Sequence, residues 1–95
     1  MKEMETILER VREEMEDAAE YAELALSFKA ENPAAAKLFE TLSEQERGHA
    51  QMLLQEAGNL CKNEANKAIY GYEKDVMGRK DAGLRQKWER FKEHA

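Results

Sequence analysis

The stretch Leu38–Leu54, LFETLSEQERGHAQMLL, is apolar at helical spacing and then breaks its own pattern. Leu38, Phe39, Leu42, Met52 and Leu53 recur at the three- and four-residue intervals of one helical face. Continued from Leu42, that stripe leads to Glu46 and His49. A carboxylate and an imidazole one turn apart, both aimed inward, are either an expensive mistake or a site, because an unpaired buried charge costs several kcal/mol.

Working back from this stretch, the spacing predicts a first helix from about Lys2 to about Ala30. Its apolar stripe is Met4, Ile7, Leu8, Val11, Met15, Ala18, Ala22, Ala25 and Leu26 or Phe28. The alanines thin one half of it, so a neighbouring helix can approach closely. Most of its glutamates read as a solvated face. Glu14 lies inside the edge of the stripe, one turn from Val11 and Ala18, with Tyr21 two turns along on the same side. Glu13 and Asp17 are the acids a small rotation of the helix would bring in instead.

Glu31-Asn32-Pro33 makes the break: Asn is a good N-cap and Pro is favoured at the first helical position. The second helix is expected from Pro33 to Ala57, stopped by Gly58 and Asn59, and so short a connection folds it back antiparallel. Gly48 inside it either permits a close backbone approach or is a tolerated defect. A third segment, about Leu60 to Met77, carries the stripe Cys61, Ala65, Ala68, Ile69, Tyr72 and Val76. Gly78 is expected to break it and Asp81 to cap a last short helix. Leu84, Trp88 and Phe91 then share one face, which packs over the bundle or docks on a neighbouring subunit. The expected fold is all-α: an antiparallel long-helix hairpin over 2–57 and shorter C-terminal helices over 59–95, one domain across 1–95.

The totals narrow the function classes. A chain of 95 residues has a small core, and association is a common way to bury more surface. A net charge of -5 with scattered Lys and Arg argues against a nucleic-acid partner. A single cysteine, Cys61, makes neither an internal disulfide nor a thiolate metal site. No segment has the uninterrupted apolar length of a signal peptide or a membrane span, so the expectation is a cytoplasmic protein with no membrane partner.

Counted from Asn32, Glu14 lies 18 residues before the turn, Glu46 14 after it and His49 17 after it. At ~1.5 Å rise per residue the three stand at nearly the same height on facing helices. Two carboxylates and an imidazole, walled by Val11, Ala18, Leu42 and Met52, suit iron or manganese, with zinc a further fit; calcium and magnesium prefer oxygen alone. One hairpin supplies three ligands. Two hairpins about a two-fold axis supply four carboxylates and two imidazoles, enough for two metals, and complete a four-helix bundle.

The run YAELALSFKAENPAAAKLFETLSEQERGHAQML, with Glu14 seven residues before Tyr21 and the Glu46-Arg47-Gly48-His49 motif, resembles the first half of the ferritin-like di-iron carboxylate superfamily. It is closest to rubrerythrin-type domains and to the short encapsulated ferritin-like proteins, over about residues 7–57. The resemblance implies that Glu14, Glu46 and His49 are iron ligands, that Tyr21 stands beside the centre, and that the activity is oxidation of ferrous iron by oxygen or peroxide. Ordinary members carry a second Glu and a second Glu-x-x-His in the same chain. Here His94 has Phe91 three residues before it, which matches the short type, whose subunits pair across the metal site. That likeness implies a homodimer or larger ring and an encapsulin shell as a compartment; the apolar face of Trp88 and Phe91 is where a ring contact is expected. The C-terminal WERFKEHA does not match an apolar-basic targeting peptide, and without paired cysteines there is no rubredoxin module for a full rubrerythrin peroxidase.

Glu-x-x-His alone is weak in a chain this rich in Glu, arising by chance about one time in three. The joint condition lifts it: both residues in the buried stripe, with Glu14 level across a tight turn. A rival reading stays open, in which the protein is a helical interaction or structural module without redox activity. There Glu46 is a boundary carboxylate paired with Arg47, Lys37 or another cation, and His49 sets register across an interface.

Overall fold

The computed structural model describes residues 2–93 as three helices, α1 (Lys2–Phe28), α2 (Pro33–Asn59) and α3 (Glu64–Glu93), with no strand among them. His94, which the sequence shows without a Glu three residues before it, lies outside the described residues.

Asn32 closes one helix and opens the next. Its backbone N–H donates to Phe28 O at 2.8 Å, continuing the last turn of α1, while its side-chain Oδ1 accepts from Ala35 N at 3.1 Å. Pro33 follows at the first helical position, where a missing N–H costs nothing. The result is the antiparallel hairpin the sequence predicts.

The seam of the hairpin has a heptad register. On α1 the buried residues Met4, Leu8, Val11, Met15, Ala18, Ala22 and Ala25 alternate steps of four and three. On α2 the buried residues are Ala36, Ser43, Ala50 and Ala57, one every seventh position and all small. Small residues bring the helix backbones close enough for Ser43 Oγ to donate to Ala18 O at 2.7 Å. This corrects the stripe read from α2. Leu38 and Met52 are 57% and 71% exposed, and the wall role expected of Met52 is reduced to the rim of a surface depression. Gly48 makes no close approach within the chain, since a Cβ there would meet nothing within 4 Å.

α3 is one continuous helix, a second correction. It starts at Glu64, with Asn63 Oδ1 accepting from Asn66 N at 2.8 Å, and it runs through Gly71, Gly78 and Gly83 without a break. Glycine weakens a helix by up to ~1 kcal/mol but does not stop it when tertiary contacts hold both sides. Those contacts are ion pairs to the hairpin: Glu73 with Arg12, Asp81 with Arg47, and Lys87 with Glu23 at 2.5 Å. Asp81 is therefore no cap. The buried face is Asn66, Glu73, Met77, Leu84 and Trp88, whereas Ile69 and Tyr72 of the expected stripe are 46% and 66% exposed.

Leu84 and Trp88 pack on Ala18, Ala22 and Ala25, with Phe91 alongside. Lys29 Nζ lies 4.1 Å from the centroid of the Phe91 ring, a cation–π contact that pins the end of α3 to the hairpin turn. The Trp88 and Phe91 face thus packs against the hairpin within the chain.

All three ion pairs reach one flank of the hairpin. On α1 the flank toward α3 carries Arg12 and Glu23; on α2 it carries Arg47. Among the described residues no helix covers the opposite flank. There every seventh residue gives Ile7, Glu14, Tyr21 and Phe28 on α1, and Phe39, Glu46 and Leu53 on α2. Phe39 stacks between Tyr21 and Phe28, at centroid distances of 6.1 and 5.7 Å. The Cα extents of 51 × 18 × 14 Å fit three helices with one side of the hairpin uncovered.

Candidate metal centre

Two apolar ridges meet on the uncovered flank, and both are interrupted at the same level. Glu14 takes the place of an apolar residue between Ile7 and Tyr21, and Glu46 does so between Phe39 and Leu53. His49, one turn beyond Glu46, completes the group. One ligand atom from each of Glu14, Glu46 and His49 lies within 4.8 Å of the others.

His49 Nδ1 is 3.7 Å from Glu14 Oε2 and 3.7 Å from Glu46 Oε1. It is the ring nitrogen turned to both acids, leaving Nε2 to carry the proton when Nδ1 acts as a ligand. Burial grades outward. The side chain of Glu14 is 10% exposed, that of Glu46 21% and that of His49 55%. Two acids converging on one imidazole at this burial make a place where a cation is favoured. The donor set of two hard oxygens and a borderline nitrogen fits iron, manganese or zinc.

Glu14, rather than Glu13 or Asp17, is the acid the fold turns inward, since both neighbours are exposed. Arg47 does not take Glu46. Its guanidinium makes a two-pronged pair with Asp81 and reaches Glu44 at 3.4 Å, and the hydrogen bond holds the Asp81 carboxyl below its ordinary range against the opposing effect of burial. Lys37 pairs with Glu40 at 3.3 Å. Neither Arg47 nor Lys37 is thus the partner of Glu46, whose contact is His49. Tyr21 is half-buried on the same ridge, stacked on Phe39, and is not one of the clustered residues.

The sequence reading missed Arg10. Its Nη2 lies 2.9 Å from Glu14 Oε1 and its Nη1 2.5 Å from Glu13 Oε2. The i, i+4 spacing to Glu14 was the available signal. Arg10, Glu14, His49, Met52, Leu53 and Glu56 line an open depression on the uncovered flank. Among the described residues no helix is long and apolar enough to cross a membrane.

The family model described as Rubrerythrin matches residues 5–92, so the similarity runs through α3 as well as the hairpin. No curated protein and no solved structure matches the chain.

Proposed function

The chain belongs to the rubrerythrin family, within the ferritin-like di-iron superfamily, and from that membership and its clustered acids we propose a ferroxidase whose di-iron site is shared by two subunits. The observation that carries this is the convergence of a nine-tenths buried Glu14 with Glu46 and His49 on the flank that α3 leaves uncovered.

A second hairpin set on that flank about a two-fold axis buries the Tyr21, Phe28, Phe39 and Leu42 surface and brings a second set of three ligands to the first. Four carboxylates then balance the charge of two ferrous ions, and anionic oxygen donors favour the ferric state further. Two ferrous ions held there by Glu14, Glu46 and His49 of each chain would supply one electron each, reducing one O2 with two protons to H2O2, or one H2O2 with two protons to two waters. The chain's own part is to hold the donors. Glu14 is kept in place by the packed seam, His49 presents Nδ1, and the aromatic ridge restrains water.

Anaerobic addition of ferrous iron followed by air tests the reading. It expects about one iron per chain, bound by a dimer, and an oxidation absorbance that Glu46→Ala abolishes. Absence of saturable iron binding would sink it and leave the structural-module reading.

A further inference from the structure

Glu14 reaches the cluster with only one of its two oxygens. Oε2 faces His49 at 3.7 Å, while Oε1 accepts from Arg10 Nη2 at 2.9 Å. The same guanidinium donates to Glu13 Oε2 through its other terminal nitrogen. The three groups differ sharply in exposure. Glu14 is 10% exposed at its side chain, whereas Arg10 and Glu13 are 55% and 48% exposed.

A carboxylate this buried requires a positive partner whether or not a metal is bound. A divalent cation at the cluster and a guanidinium on the same carboxylate compete for its charge and repel each other. Arg10 has somewhere to go, because Glu13 already holds it on the solvent side at i+3.

On the reading that Glu14, Glu46 and His49 take up a cation, we infer that Arg10 is a positioning residue. It is the counter-ion of Glu14 in the metal-free protein, and metal binding displaces it onto Glu13. Arg10 thereby keeps the hairpin folded before loading and sets the affinity of the centre. Metal loading breaks the Arg10–Glu14 contact and keeps the Arg10–Glu13 contact.

Zinc(II) alone, titrated calorimetrically into the full chain, reads the competition. Arg10→Gln should bind zinc about five- to tenfold more tightly, as expected when a neighbouring cation is removed from a partly buried site. Arg10→Lys should stay near the parent. Glu13→Gln, which removes the alternative acceptor, should bind more weakly. Lys67→Gln makes the same charge change at an exposed position of α3 and should shift affinity less than about twofold. Unchanged or weaker binding by Arg10→Gln, or an equal gain in Lys67→Gln, would overturn the inference.

A cycle in metal-free protein tests the counter-ion role separately. Arg10→Gln should lower the melting midpoint by about 3–5 °C, and should have almost no effect in a Glu14→Gln background. Additive effects would overturn the inference while leaving the metal site standing. Failure of the parent chain to bind any metal would instead overturn both.

Discussion

Ser43 Oγ donates to the carbonyl of Ala18 at 2.7 Å, with Ser43 fully buried, and this bond between α1 and α2 lies one turn from the candidate metal centre on both helices. Ser43 precedes Glu46 by three residues, and Ala18 follows Glu14 by four. The contact therefore fixes the level at which the two acids face each other.

Ser43→Ala removes the bond and keeps the small volume, so chemical denaturation should show a loss of about 1 kcal/mol with metal binding retained. Ser43→Leu forces the seam apart and should cost about 1–3 kcal/mol. It should also weaken metal binding out of proportion to the stability loss, because Glu14 and Glu46 slip out of level. Equal metal affinity in the two variants would show that the seam does not set the site.

The glycines of the helices separate into two kinds. A Cβ on Gly58 would stand 3.0 Å from the Tyr70 ring and hydroxyl, so Gly58→Ala has to push Tyr70 away from the cluster it shares with Met4, Leu8 and Ala57. A Cβ on Gly78 meets nothing within 4 Å in mid-α3, and Gly78→Ala should raise stability by about 0.5–1 kcal/mol. Thermal melts of the two variants should differ in that order, with Gly58→Ala gaining less than Gly78→Ala.

The first helix, the Asn32-Pro33 turn and the level of Glu14 with Glu46 and His49 were legible in the sequence. Strong periodicity and a tight, capped turn leave little freedom in each. The seam of α2 was not, because Ala36, Ser43, Ala50 and Ala57 carry almost no hydrophobic signal and their larger neighbours drew the stripe around to the wrong side. Nor was the phase of α3. Its buried face includes Asn66 and Glu73, and Glu73 is tolerated only through Arg12, 61 residues away in sequence. Local pattern cannot register a charge made acceptable by so distant a partner. Glu73 with Arg12 before Gly78, and Asp81 with Arg47 after it, explain the continuity of α3 past that glycine.

Acid should loosen α3 from the hairpin. Arg47 holds the Asp81 carboxyl below its ordinary value of 3.8, so the unfolded chain binds the proton more readily. The stability this pair contributes is present above that value and is lost as pH falls through the lower folded value. Asp81→Asn should remove about 2 kcal/mol at neutral pH and flatten the acid limb of the stability profile. A profile below pH 4 unchanged by the substitution would count against the clamp.

Leu38→Glu tests the shared site without touching a ligand. Leu38 is 57% exposed, one turn before Leu42 and two before the Glu46 level, so a charge there costs the isolated hairpin little. If a second hairpin covers this flank, the charge is buried against an apolar surface and two copies place like charges in one interface. Association should then weaken by at least about tenfold, read by sedimentation, while the helical circular dichroism and the melting of the monomer are kept. Iron uptake should fall in step with the dimer and recover at high protein concentration, because mass action restores the missing ligands. A monomer that binds iron as tightly as the parent would place the whole centre within one chain and overturn the shared site.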